Sequence, residues 1–356
     1  CPTIAGSHIS MVAGVEMRAA GLACERGTML NGLIDVHAHH YPDRYLDACR
    51  RSDSGLEHYI RDDGRLVVLQ DGAVALAVPQ PLPGLDHRLA LMDKAGIEVQ
   101  VLSVSAPNVF RLPAAVRVPL ATDLNDDLIE LVRSTGDRFR FFANLPLPDI
   151  DASLVEIDRV QALPEVVGFM LCSTIDQRTL DDRCFLPLWE ELSERKAVVF
   201  VHPTTGCCTE GVRDFALSLA LDFLAETTNA VGRLIYSGTF ERYPGIRWVF
   251  SHLGGTVPFL HHRFDNYANQ FPEAREHISR MPSEQLGELF FDTVTTHSAA
   301  MRCAFETFAS SQFVFGTDYP HVPGGLRVFV ETLEAAGLSP ADLAKVTRGN
   351  AEALFN

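Results

Sequence analysis

Eight short apolar runs recur along the 356-residue chain, and each is followed by a segment of helical character. The runs are continuous rather than alternating, which is typical of parallel strands covered on both faces. The predicted strands are Leu33–His39, Val99–Ser105, Phe139–Leu147, Val166–Ser173, Ala197–Pro203, Arg247–Gly254, Leu289–Thr295 and Gln312–Pro320. The predicted helices are Asp86–Ala95, Leu120–Ser134, Phe185–Lys196, Phe215–Ser237, Ala299–Phe308 and Gly325–Ala336. Eight alternating units predict an α/β fold, a (β/α)8 TIM barrel.

The barrel is expected to occupy residues 29–356 as a single domain. An open doubly wound sheet is the alternative, although no GxGxxG follows the first strand. Residues 40–85 do not fit the alternation and are rich in Gly, Pro and Asp, so they predict an insertion that serves as a lid or small subdomain. Residues 1–28 are interpreted as an N-terminal extension, poorly structured or derived from cloning.

Composition limits the partners and the compartment that we expect for the protein. The chain has 30 Lys and Arg against 46 Asp and Glu, a net charge of −16, so nucleic-acid binding is not expected. No apolar run approaches the roughly 18 to 20 residues of a membrane span. The eight cysteines form no CxxC pair, and no secretion signal is recognised, which favours reduced thiols in a cytoplasm. The adjacent Cys207 and Cys208 are not expected to form a disulfide.

Polar residues stand at the ends of the predicted strands, where a barrel carries its chemistry. His37 and His39 are two residues apart on one strand, so both side chains face the same side. His202 ends the fifth strand and Asp318 the eighth. Each of these residues alone has a structural explanation, such as a hydrogen-bonded histidine or a turn aspartate. Together, three imidazoles and one carboxylate predict a site for zinc, manganese or iron.

Further candidates lie beside these four. His252 suits proton transfer near a cation, or is another ligand. Arg263 is positioned to bind a substrate carboxylate, although a surface salt bridge explains it equally well. Asp292 and Thr293 end the seventh strand and are expected to orient a ligand or line the pocket, and His321 is a reserve candidate for substrate binding.

Four segments carry a resemblance to a known family: IDVHAHHYP, VFVHP, FSHLGGTVPFLHHRFDN and FGTDYP. Over roughly residues 31–356 the chain resembles the amidohydrolase-related group typified by α-amino-β-carboxymuconate-ε-semialdehyde decarboxylase. The resemblance implies that His37, His39, His202 and Asp318 bind a metal, usually zinc or manganese. It also implies that His252 transfers a proton. Arg263 would bind a substrate carboxylate, in some members across a dimer interface, so a homodimer is implied.

Two differences between this chain and the semialdehyde decarboxylase affect the substrate that we expect. The semialdehyde decarboxylase has a second substrate-binding arginine at the place that falls near Leu76 here, and a tryptophan where Thr204 stands. A less charged aromatic acid, such as a methylsalicylate-like compound, is therefore favoured. The first metal ligand here is a histidine of an HxH pair, where the γ-resorcylate and carboxyvanillate branches have a glutamate. This difference argues against those branches.

Three hypotheses of function follow from these residues. The leading one is metal-dependent, non-oxidative decarboxylation of a small aromatic or unsaturated carboxylic acid, with His252 and Asp318 as catalytic residues and zinc as the expected metal. The alternative is hydrolysis of an ester, lactone or amide, or hydration of a double bond, by a metal-bound hydroxide at the same site. The third is a barrel that binds a small acid without catalysis.

Overall fold

The computed structural model describes residues 30–206, 210–321 and 325–356. The predicted extension over residues 1–28 and the pair Cys207 and Cys208 lie outside the described residues. The strands are β1 (Leu33–His39), β2 (Glu57–Ile60), β3 (Arg65–Gln70), β4 (Ala73–Pro79), β5 (Ile97–Ser103), β6 (Phe139–Ala143), β7 (Val166–Cys172), β8 (Thr174–Ile175), β9 (Arg178–Thr179), β10 (Val198–His202), β11 (Arg247–Phe250), β12 (Phe290–Asp292) and β13 (Phe313–Val314).

Eight of these strands form one parallel sheet in the order β1-β5-β6-β7-β10-β11-β12-β13. The sheet closes on itself because the segment after β13 pairs with β1: Val36 N donates to Phe315 O at 2.8 Å, and His39 N donates to Tyr319 O at 2.7 Å. Each barrel strand lies within or overlaps one of the eight predicted runs. The predicted (β/α)8 barrel is therefore confirmed.

Helices surround the barrel and cover its outer face with their apolar sides. The α-helices are α1 (Asp43–Cys49), α2 (Leu85–Ala95), α3 (Ala114–Ser134), α4 (Ile150–Val160), α5 (Leu186–Glu194), α6 (Phe223–Tyr236), α7 (Thr239–Arg242), α8 (Val257–Gln270), α9 (Pro282–Leu286), α10 (Ser298–Thr307), α11 (Arg327–Glu334), α12 (Pro340–Ala344) and α13 (Asn350–Phe355). Within the described ranges, none of these helices combines the length and the apolar character that a membrane span requires.

The helix predicted for residues 215–237 differs from the structure. Phe215 adopts a left-handed φ of 59° within a short 3-10 turn, and a π-helical turn follows at Ser218–Asp222 before α6 begins. A left-handed residue cannot continue a right-handed helix. Its ring is 92% exposed, so no packing offsets the strain.

The insertion between β1 and α2 is a small structure of its own. It consists of α1 followed by an antiparallel sheet in the order β2-β3-β4, in which Leu66 of β3 pairs with Val78 of β4. Both side chains are fully buried, so the sheet packs through one apolar face and is anchored to the body of the protein. Residues of β3, of β4 and of the loop before β3 reach the carboxyl ends of the barrel strands, where the site described below lies.

Candidate metal centre

Four buried side chains converge at the carboxyl end of the barrel. His37 and His39 end β1, His202 ends β10, and Asp318 follows β13. One ligand atom from each lies within 4.8 Å of the others. The predicted cluster is therefore assembled from β1, from β10 and from the segment after β13, which are far apart in sequence and whose carboxyl ends meet at one end of the barrel.

The Nδ1 atom of each of the three histidines already has a hydrogen-bond partner. His37 Nδ1 donates to Asp292 Oδ2 at 2.6 Å, and His202 Nδ1 donates to Pro203 O at 2.7 Å, because a carboxylate and a carbonyl only accept. His39 Nδ1 lies 2.8 Å from Ser103 Oγ. Nε2 of His202, and Nε2 of His37 when that residue is neutral, therefore present lone pairs. Histidines that bind metals are held by outer partners of this kind.

The inner atoms fit a cation. His37 Nε2 and His39 Nε2 are 3.0 Å apart, and Asp318 Oδ1 lies 3.2 Å from the first and 3.0 Å from the second. Acceptors this close repel one another unless a proton or a metal ion lies between them. Three imidazoles and one carboxylate are a donor set that would suit divalent zinc or manganese.

Electrostatics divide the cluster into neutral and charged members. Burial lowers the pKa of His39 to about 3, against its hydrogen bond to Asp318, and burial holds the pKa of His202 well below its usual value. Burial would also lower the pKa of His37, but the charges of Asp318 and Asp292 prevail and raise it to about 10. Without metal, His37 therefore carries the proton that neutralises Asp318.

This proton makes metal binding depend on pH. A metal ion at His37 Nε2 must displace the proton, and the pKa of His37 is about 10. We therefore expect the apparent affinity for zinc to rise about tenfold per pH unit between about pH 6 and pH 9, with close to one proton released per ion. Competition with a chelating dye across this range measures the slope. An affinity that is flat with pH would contradict the charge assignment.

His252 and Asp318 are held in strained backbone conformations. Their φ angles are 55° and 56°, in the left-handed region that non-glycine residues rarely occupy. Strain of this kind, about 1–3 kcal/mol per residue, persists where the surroundings fix it and is concentrated at functional sites. Asp318 N donates to His37 O at 2.7 Å, which fixes the carboxylate against β1. His252 Nε2 consequently lies 3.4 Å from Asp318 Oδ2.

One glycine permits the close approach of the segments that carry His37 and Asp318. A Cβ atom at Gly316 would lie 2.9 Å from the Cβ of His37 and 3.2 Å from that of Asp292. Any side chain there would push the segment that carries Asp318 away from β1.

A cavity of about 510 Å³ opens over the cluster. It is large enough for one substituted aromatic ring. Its lining combines the polar side chains of the cluster with apolar side chains and with arginines of the insertion. The lining residues are Arg61, Asp63, Arg65, Ala75, Leu76, Ala77, Ser105, His202, Leu219, Phe223, Leu224, His252, Val294, Asp318 and His321.

The three predicted substrate-binding residues have different positions. His321 lines the cavity, and its Nε2 lies 2.5 Å from the hydroxyl of Tyr41. Thr293 is buried and accepts a hydrogen bond from Gly316 N at 3.2 Å, and Val294 faces the cavity in its place. Arg263 is exposed on α8, where it donates to the hydroxyl of Tyr267 at 3.0 Å. Among the described residues, Thr293 and Arg263 do not line this cavity.

Sequence reasoning missed the arginines of the insertion. Leu76 of β4, near which the semialdehyde decarboxylase has its second arginine, does line the cavity. The neighbouring strand β3 instead contributes Arg65, which pairs with Pro79. Arg61 donates two hydrogen bonds to Asp63, from Nε and Nη2. The contacts of Arg65 are longer: its Nε is 3.6 Å from the Asp63 carboxylate and its Nη1 is 3.4 Å from Ala77 O. The expectation of a less charged substrate rested on Leu76 and Thr204 and did not take Arg61 and Arg65 into account, and it stays a prediction.

Comparison with known proteins places this arrangement in a family. The amidohydrolase family model matches residues 34–356. The 2-amino-3-carboxymuconate-6-semialdehyde decarboxylase of Dictyostelium discoideum is 26% identical over 86% of this chain and 92% of its own. The 6-methylsalicylic acid decarboxylase of Penicillium expansum is 28% identical over 90% of this chain and 95% of its own. The γ-resorcylate decarboxylase of Rhodococcus jostii is 32% identical over 76% of this chain and 87% of its own.

A solved structure shares the fold. The dihydroxybenzoic acid decarboxylase of a Polaromonas species, solved with bound manganese and 2-nitroresorcinol, superposes with a TM-score of 0.75. It is 23% identical, and the match covers 92% of this chain and 97% of that one. The match over residues 34–356 and the relatives named above show that the chain belongs to the amidohydrolase family, in the group that includes α-amino-β-carboxymuconate-ε-semialdehyde decarboxylase.

Proposed function

We propose that this enzyme is a metal-dependent, non-oxidative decarboxylase of a small aromatic or unsaturated carboxylic acid, such as a hydroxybenzoate or a methylsalicylate-like compound. The observation that carries the proposal is the convergence of His37, His39, His202 and Asp318 with His252 at the floor of one ring-sized cavity. The names of the relatives, which are decarboxylases of such acids, support it. Release of carbon dioxide from a panel of these acids tests it, as set out at the end of the Discussion.

The proposed metal ligands are His37, His39, His202 and Asp318. A divalent cation bound there supplies Lewis acidity that stabilises negative charge on the oxygens of the substrate. Zinc suits the three imidazoles and the carboxylate, and manganese, which the related Polaromonas structure holds, is the alternative.

His252 is the proposed proton donor. Its Nε2 faces the cavity beside Asp318 Oδ2, and its Nδ1 is buried without a hydrogen-bond partner among the described residues. The proton passes from Nε2 to the carbon that bears the carboxylate. The bond to the carboxyl carbon then breaks, its electron pair returns to the substrate carbon framework, and carbon dioxide leaves. Asp318 holds the imidazole in place during this transfer, and His252 regains a proton from solvent.

The insertion, predicted as a lid over residues 40–85, supplies the outer wall of the proposed substrate site. Ala75, Leu76 and Ala77, together with Phe223 and Leu219, would supply apolar contacts to a bound ring. His321 supplies a polar contact, which its hydrogen bond to Tyr41 holds in position. Arg65 is suited to an anionic group on the substrate because its partners within the chain are distant.

Replacing Arg65 tests this contact. We expect Arg65→Gln to raise KM on the order of tenfold with little change in kcat, because a charge-assisted contact made equally in the ground and transition states affects binding alone. Arg51→Gln is the matched control, since Arg51 belongs to the same insertion but pairs with Asp53 in the exposed surface. Equal KM values for the two variants would remove Arg65 from the substrate site.

We also propose that the protein forms a homodimer through the exposed face of α8. Phe259 is 83% exposed, Arg263 and Tyr267 follow at four-residue intervals on the same side of the helix, and the exposed Phe271 comes directly after its last residue. An aromatic surface with a central arginine is typical of an interface. Arg263, which is remote from the cavity of its own chain, would then bind the substrate carboxylate in the partner's site.

Mixing two inactive variants tests this arrangement. A dimer of Arg263→Ala and His252→Ala protomers contains one site with both residues intact. Random exchange of subunits should therefore restore about one quarter of the native activity. Light scattering gives the mass of each sample, and a mixture that stays inactive although it is dimeric would contradict the shared site.

The proposed compartment is the cytoplasm. Cys49, Cys172, Cys184 and Cys303 are free thiols, which is consistent with a reducing environment.

A further inference from the structure

A buried arginine lies directly behind the metal centre. Arg88 of α2 is only 6% exposed. Its Nη1 donates to His39 O at 2.8 Å and its Nε donates to Gln100 Oε1 at 2.8 Å. Its guanidinium lies over the ring of Tyr319, 4.8 Å from the centroid. Burying a guanidinium is costly, so its contacts must return a comparable benefit.

A chain of hydrogen bonds leads from Arg88 through Gln100 to Asp35 and forms a buried network with them. Gln100 Nε2 donates to Asp35 Oδ2 at 2.7 Å. Asp35 in turn accepts from Thr317 Oγ1 at 2.6 Å, from Thr317 N at 3.1 Å and from His37 N at 3.2 Å. A cation and a carboxylate, both buried, are thus joined through one amide side chain, without direct contact between the charges.

We infer that Arg88, acting through its own bond to His39 and through Gln100 and Asp35, is a positioning residue that sets the relative placement of the metal ligands. Every end of the network reaches a ligand residue or its neighbour: the carbonyl of His39, the amide of His37, and Thr317 and Tyr319 on either side of Asp318. It therefore joins β1 to the segment after β13, which together supply three of the four ligands.

The chemistry of arginine suits this role. The planar guanidinium donates in two fixed directions at once, toward β1 and toward Gln100 on β5, and stacks on Tyr319 with its face. A lysine ammonium keeps the charge but has neither the fork nor the stacking surface. Arg88→Lys should accordingly restore metal binding only in part.

The test measures metal affinity without substrate, on the full chain. We expect Arg88→Met and Gln100→Ala each to raise the dissociation constant for zinc by about 10- to 100-fold, the usual effect of losing an outer-shell partner. The absorption spectrum of the Co2+-loaded protein should shift as well, because it reports coordination geometry. If Arg88→Met does not fold, Gln100→Ala, which leaves the guanidinium and its bond to His39 intact, decides the question.

A purely structural role predicts a different result. Leu192→Ala removes a fully buried side chain of α5 that is absent from the metal centre, and it serves as a control for lost stability. The inference would be overturned if Arg88→Met and Gln100→Ala lost thermal stability as Leu192→Ala does but kept a zinc dissociation constant within twofold of the native value and an unchanged Co2+ spectrum. The inference rests on the proposed metal centre but not on the proposed reaction, so its failure is distinct from a failure of decarboxylation.

Discussion

Replacing His252 by alanine should lower kcat by about 10²–10⁴-fold while the protein keeps its metal. The imidazole lies beside Asp318 in the cavity, yet it is not one of the four converging ligand residues. Loss of the proton donor removes an interaction made in the transition state, so kcat and kcat/KM should fall together. Metal content after dialysis and steady-state kinetics give the two quantities.

Two controls make this result specific. His58→Ala changes an exposed histidine of β2 and should leave kcat, KM and metal content unchanged. Added imidazole should restore part of the turnover of His252→Ala, because the vacated space admits a small proton donor. A variant that retains near-native turnover would remove His252 from the mechanism, and a variant that loses its metal would make His252 a ligand.

Replacing His202 by alanine should have the largest effect on the metal. His202 is buried, and its Nε2 is free for a ligand because Nδ1 donates to Pro203 O. Loss of a direct ligand should weaken zinc binding by more than the roughly 100-fold expected for an outer-shell partner, and turnover should become undetectable at equal metal concentration. The native protein should also lose thermal stability when a chelator removes the metal, because the ion binds the folded state alone.

The matched control for this variant is His277→Ala, which alters an exposed histidine away from the cavity. Thermal denaturation with and without added zinc should show metal-dependent stabilisation in the control and little in His202→Ala. Zinc affinity unchanged by His202→Ala would exclude this residue as a ligand and undo the proposed centre.

Much of the site could be predicted because barrel topology carries the information. The ends of parallel strands meet at one edge, so His37, His39, His202 and Asp318 had to come close once the eight strands were recognised. The spacing of His37 and His39 fixed their common face. The role of Asp292 also follows from its place at the end of β12, where it reaches His37 Nδ1.

The remaining residues depend on geometry that local sequence does not encode. Arg65 faces the cavity only because of the antiparallel register of β3 against β4. Thr293 lies at a strand end like the others, but its hydroxyl is turned toward the backbone of Gly316. Arg263 is on the outer face of α8, so any role in catalysis needs a second chain. The start of α6 was misplaced because nothing in the sequence marks Phe215 as left-handed.

The sequence argument about family branches stays a prediction. The HxH pair was expected to separate this chain from the γ-resorcylate branch. The γ-resorcylate decarboxylase of Rhodococcus jostii is nevertheless 32% identical over 76% of the chain. Overall identity does not assign the branch, and the cavity wall formed by the insertion is a further guide to the substrate.

Carbon dioxide release in deuterated water tests the central claim most directly. Zinc- or manganese-loaded protein is incubated with hydroxybenzoates, methylsalicylates and muconate-like acids, and the products are identified by NMR. The account predicts release of carbon dioxide from at least one of these acids, with deuterium at the carbon that lost the carboxylate, and no reaction by His252→Ala. Cleavage of esters, lactones or amides by the same metal-loaded protein, without carbon dioxide release from any acid, would contradict it.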